Sequence, residues 1–172
     1  MREILFRGQT RKNGEKVKMA TGEKVPGHWV YGGIFPGTWD YSIIYGGETE
    51  DDLEKHVVYS ETVGQYTGLK DKNGKRIFEG DIVCYNTFND FNCYSVVKFG
   101  EYEQDGSEGE YAPHDCVGWY AEVNSFTCPD WAENDPIYFP DYLKQQNLLE
   151  VNQGCEVIGN IYDNYDLLEE PT

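Results

Sequence analysis

The chain has 172 residues, of which 39% are apolar and 15% aromatic, and a formal net charge of −17. That length suits one domain, or a domain with a subdomain, and buries roughly two-thirds of the unfolded surface, so a core is feasible without staples. The charge is lopsided: residues 1–24 carry seven Lys/Arg against three acids, and residues 99–172 carry Lys144 alone against seventeen acids. The acidic half therefore argues against direct nucleic-acid binding, which needs Lys and Arg to neutralise phosphates.

Ile4, Leu5 and Phe6, then Val17 and Met19, read as two strands around Lys12-Asn13-Gly14-Glu15, an Asn-Gly hairpin signal. From 28 to 45, Trp29, Tyr31, Phe35, Trp39, Tyr41 and Tyr45 are punctuated by Gly and Pro, which predicts short strands joined by bends. Thr49–Glu54 suits a turn of helix and Val57–Tyr59 a strand. Thr62–Thr67 reads as a strand with opposed faces, Asp71-Lys72-Asn73-Gly74 as a tight turn, and Glu79-Gly80-Asp81 as a second bend. Asn73 or Gly74 suits the left-handed conformation, and the Asp71 side chain can accept bonds from turn amides. Tyr66, Ile77, Phe78, Ile82, Val157 and Ile161 are core candidates.

Strands are also expected at 82–85, 96–99, 118–123 and 155–162. Residues 100–150 look least regular. Gly100–Pro113, dense in Gly, Asp and Glu, reads as a mobile loop, and Thr127–Pro140 holds three prolines. Asp141 is a candidate N-cap for a short helix to Leu149, and Asn164 for a final turn bearing Leu167 and Leu168.

Several blocks occur in one order: Arg2–Arg7, Trp29–Gly33, Thr62–Asp71, Gly74, Ile77–Val83 and Glu156–Tyr162. In these the chain resembles the YopX family of phage and prophage proteins. The resemblance implies a phage-derived, cytoplasmic, mainly β protein of a bacterial host, and brings no catalytic residues with it. Residues 86–150 follow no family pattern and read as a variable insert. Tyr165 stands where the family ending often has proline, which weakens the first turn after Asn164 slightly.

The expected fold is a barrel-like antiparallel sheet with an N-terminal hairpin segment, an irregular insert at about 86–150 and minor short helices. Its division is an N-terminal β segment, 1–60, and a β domain, 61–172. The family blocks read as architecture: Asp71, Asn73, Gly74, Gly80 and Asp81 are structural turn residues. No nucleophile elbow, phosphate loop or HExxH motif is present, and the five cysteines show no C-x₂-C spacing. Free thiols, no cofactor and no membrane segment are therefore expected.

Trp29, Tyr31, Phe35 and Trp39 are the candidate protein-interaction residues, because Trp and Tyr dominate interface hot spots. The expected activity is that of a non-enzymatic, self-associating module that also meets a host protein. Two alternatives stand beside it. One is an acidic decoy that imitates DNA before a host DNA-binding or defence protein. The other is a hydrolase built on His114, Asp115 and Cys116.

Overall fold

The computed structural model describes residues 3–10, 28–35, 37, 41–46, 54–87, 91–104, 112–127 and 144–168. The expected Lys12–Glu15 turn, Val17, Met19, Trp39, the 49–53 segment, the prolines between 128 and 140, and Asp141 lie outside these residues. The chain is mainly β and forms two compact units, Met1–Gly68 and Leu69–Thr172. No helix among the described residues is long and apolar enough to cross a membrane.

The first unit contains β1 (Phe6–Gln9), β2 (Trp29–Phe35), β3 (Tyr41–Gly46), β4 (Glu54–Tyr59), a 3-10 turn at Ser60–Thr62 and most of β5 (Gly64–Lys70). These strands lie in the order β4-β3-β2-β1-β5. Alternation sends Val30, Ile44 and Val58 to one face, where they form a small core with Phe6 and Val63 packed against it. Gly8 sits on that face because a Cβ there would lie 2.9 Å from Val58 Cγ2 and 3.2 Å from Ile44 Cδ1. Thr62 ties the turn to β1: its buried hydroxyl donates to the Tyr59 carbonyl (2.8 Å) and accepts from the Gln9 amide (2.9 Å). A single bridge, Thr10 to Val58, brings the end of the first strand to the fourth. The sheet thus curls toward the expected barrel but stays open, since one bridge is not a ladder.

The second unit contains β6 (Arg76–Phe78), β7 (Asp81–Asn86), β8 (Asn92–Gln104), β9 (His114–Thr127), β10 (Gln145–Asn147), the single-turn helix α1 (Leu148–Val151), β11 (Glu156–Asn160) and a 3-10 turn, Tyr165–Leu168. Its sheet runs β10-β9-β8-β7-β11. Ile77, Val83, Tyr85, Phe91, Cys93, Val97, Ala121, Leu148, Cys155 and Val157 form its core. Tyr66, Ile77, Phe78, Ile82 and Val157 are buried, as the sequence suggests; Ile161 is half-buried.

Three expectations are corrected here. The segment read as an irregular insert holds the two longest described strands, β8 and β9, paired from Asn92↔Thr127 to Gln104↔His114. The glycines and acids after Gly100 mask a strand alternation that continues through Tyr102. The expected helix to Leu149 is instead strand β10 followed by α1, capped by Asn147, whose side chain accepts from the Leu149 amide. The final turn does follow Asn164, whose carbonyl accepts from the Leu167 amide at 3.0 Å, but the Asn164 side chain turns back to accept from the Asn160 amide (3.3 Å) rather than capping it.

The β8–β9 hairpin bends back on itself. Gln145 pairs with Glu122, which pairs with Val96, yet the Gln145 side chain accepts from the Glu103 amide at 3.0 Å. Seven residues of straight strand would separate Val96 from Glu103 by roughly 23 Å, beyond the reach of a glutamine. Gln104 likewise donates to Glu150 at 2.6 Å. The directly opposed pair Gly100↔Gly118 lies inside this bend. Tyr102 and Tyr120, buried and stacked at 5.2 Å, fill its concave side.

Asp71 is the central polar residue of the second unit. Its carboxylate accepts from the amides of Asn73 and Lys75 in the β5–β6 turn, both 2.9 Å, and from Val157 on β11 at 3.0 Å. Gly74 (φ +82) closes that turn and Gly80 (φ +77) the next, left-handed positions that favour glycine. Asp81 is buried and accepts from the Phe78 amide at 2.7 Å. Burial works against ionisation of Asp71, but the three amides and the nearby Lys75 charge together hold its carboxyl below its ordinary value.

Replacing Asp71 with Ala strands three amides and is expected to cost roughly 2–4 kcal/mol in urea denaturation. The folded value of Asp71 lies below the unfolded one, so its contribution is complete above an unfolded value of about 3.9. It is lost as pH falls through the folded value. An Asp71→Asn variant should accordingly lose less stability than the parent when both are titrated from pH 6 downward. Gly8→Ala should lower the melting temperature, by about 1–3 kcal/mol of overpacking, because Val58 and Ile44 stand too close to yield freely.

Candidate functional site

Cross-strand register defines the outer face of the first unit. Phe35 opposes Ile43, which opposes Val57; Gly33 opposes Tyr45, which opposes Lys55; Tyr31 opposes Arg7. All of these lie on the face opposite Val30, Ile44 and Val58. Phe35 is 60% exposed, Tyr31 48%, Val57 40% and Tyr45 38%. Four large apolar side chains therefore stand on one sheet surface, with half-buried Ile43 between Phe35 and Val57. No acid occupies the described positions of this face in β1 to β4, although the chain as a whole is strongly acidic.

Two of the four residues singled out by sequence, Tyr31 and Phe35, belong to this exposed patch. Trp29 is on the same face but half-buried, with the Arg7 guanidinium 4.8 Å from its ring centre, a cation–π contact. Trp39 lies outside the described residues. Ile43, Tyr45 and Val57 complete the patch. Their signal was the alternation in Tyr41-Ser42-Ile43-Ile44-Tyr45, but two apolar neighbours, Ile43 and Ile44, hide which face is which.

The turn residues are where the sequence puts them and are occupied by backbone bonds. Asp71 serves the turn and β11, Asn73 and Gly74 form the turn, and Gly80 donates its amide to the Val97 carbonyl while accepting from Ile161. Asp81 faces the Phe78 amide.

His114, Asp115 and Cys116 are consecutive on β9, paired with Gln104, Glu103 and Tyr102. Strand alternation puts His114 and Cys116 on one face and Asp115 on the other. His114 and Asp115 are exposed, and the Cys116 thiol faces Gln104 Oε1 at 3.9 Å. The strand does not converge these three groups on one reacting atom.

Cys84, Cys93, Cys116 and Cys155 are free thiols. Burial pushes Cys93 up to about 12 and Cys155 up to about 11. Burial also raises Cys84, against the opposing pull of Lys72 and the Asn92 hydrogen bond. Thiolate is the reactive form, and a raised value removes it near neutral pH. Timed alkylation at pH 8 with site-by-site mass spectrometry should therefore modify half-exposed Cys116 first among these four. Cys93 and Cys155 should remain unmodified until denaturant opens the core.

A family model described as YopX protein matches residues 38–169. Among solved structures the chain is similar to protein EF1440 from Enterococcus faecalis, at 24% identity over 76% of each chain with a TM-score of 0.32. A likeness at that score carries no argument. No curated protein matches the chain.

Proposed function

Because the chain belongs to the YopX protein family, whose description names no activity, we propose that it is a phage-derived accessory protein of the bacterial cytoplasm that acts by protein–protein contact. It self-associates through the outer face of β2, β3 and β4 and is not an enzyme. The observation that carries this reading is the joint exposure of Tyr31, Phe35, Tyr45 and Val57 on one face with no acid among its described residues. Aromatic side chains are the usual anchors of interfaces. In a chain of net charge −17, two copies meet at least cost where neither presents carboxylates. A two-fold contact of this face with itself satisfies that condition.

The non-enzymatic part rests on the divided faces of His114, Asp115 and Cys116. A DNA-like decoy gains little from the described acids. Glu122 and Glu156 are paired with Lys98 and Lys72, and Glu101, Glu103 and Asp115 are interrupted by Phe99 and Val117.

Size-exclusion chromatography with light scattering tests the reading. At least twice the monomer mass is expected, and it should persist at high salt, which screens charge but not apolar contact. A Phe35→Glu, Val57→Glu variant should elute as a monomer with an unchanged thermal melt. A strict monomer at every concentration in the parent protein would end the self-association reading.

A further inference from the structure

The convex side of the β8–β9 hairpin carries a second surface of different character. Beyond the core pair Val97↔Ala121, the same face continues as Phe99↔Trp119, Glu101↔Val117 and Glu103↔Asp115. The bend at Gly100 and Gly118 carries the hairpin tip toward the opposite face, and Phe99 and Val117 are left exposed while Trp119 stays half-buried against the core. Phe99 is 56% exposed and Val117 72%. Phe99 and Trp119 meet edge to face at 5.0 Å. The Trp119 indole N–H is buried with no acceptor among the described residues.

We infer that this strip docks an extended segment of another protein, one bearing an apolar side chain with Lys or Arg following it on one side. Phe99, Trp119 and Val117 receive the apolar side chain. Glu101, Glu103 and Asp115, all exposed, lie beside and beyond it toward the hairpin tip and face the cations. Residues 99–127 contain no Lys or Arg, so nothing local neutralises these carboxylates. The same charges exclude a second copy of the strip as its occupant, since like would meet like. This surface is separate in sequence and charge from the face proposed for self-association and does not depend on it.

The probe is a synthetic peptide alternating lysine and leucine, titrated into the full chain by calorimetry and by ¹H–¹⁵N spectra. Comparison peptides carry serine for leucine or glutamate for lysine. The lysine–leucine peptide should bind and move the indole resonance of Trp119, assigned through Trp119→Phe. Glu101→Lys and Val117→Ser should each weaken binding at least about fivefold. Glu54→Lys, with the same charge change at an exposed site on β4 of the first unit, should weaken it less than about twofold. The inference is overturned if the peptide does not bind, if Glu54→Lys weakens it as much as Glu101→Lys, if the serine peptide binds equally, or if Trp119 stays still. Light scattering on the same samples reports self-association separately, so failure of one proposal is distinguishable from failure of the other.

Discussion

The Asp71 carboxylate fastens the β5–β6 turn of the second unit to its last strand, beside the backbone bond from Lys72 to Cys155. A turn such as Asp71–Gly74 is local and weak, and β11 lies more than eighty residues further on. By accepting from both, one carboxylate ties the β5–β6 turn to the last strand of the sheet, and the Lys72–Glu156 pair (2.8 Å) lies over the same junction. Gly80 then donates to Val97 and accepts from Ile161, which anchors the second bend to β8 and to the residue after β11. The long β8–β9 hairpin is thus carried by a frame whose two ends are fastened. A buried carboxylate of this kind is tolerated because each hydrogen bond that it accepts offsets part of its lost hydration.

Glycine marks where the two sheets depart from flatness. Gly8 lets β1 lie close over Val58 and Ile44, and the sheet of the first unit curls until Thr10 meets β4. The hairpin of the second unit bends at the Gly100–Gly118 pair and folds over Tyr102 and Tyr120. In each case bending gives the polypeptide a concave face that side chains fill. Tyr31, Phe35, Tyr45 and Val57, and Phe99 and Val117 beside half-buried Trp119, lie on the other face. The two surfaces differ in charge, with no described acid on the first and three beside the second. That difference separates the partners each can accept.

Glycines, rings and short alternations determined the β class, the left-handed turn at Gly74, the bend at Gly80 and the burial of Tyr66, Ile77, Phe78, Ile82 and Val157. These are short-range requirements: a positive φ, a period of two, an apolar side chain between turn signals. The family blocks carried the same information, and they led to the residues that build the frame rather than to the surfaces it presents. Tertiary structure alone decided the rest. The strands at 92–104 and 114–127 were obscured because glycine and acid disrupt propensity while cross-strand pairing still holds them. Which of Ile43 and Ile44 faces outward depended on register with Gly33 and Val57. Exposure of Phe99 and Val117 followed from the bend that carries them off the core, and a bend is fixed by contacts such as Glu103 to Gln145, forty-two residues apart, that no local pattern records.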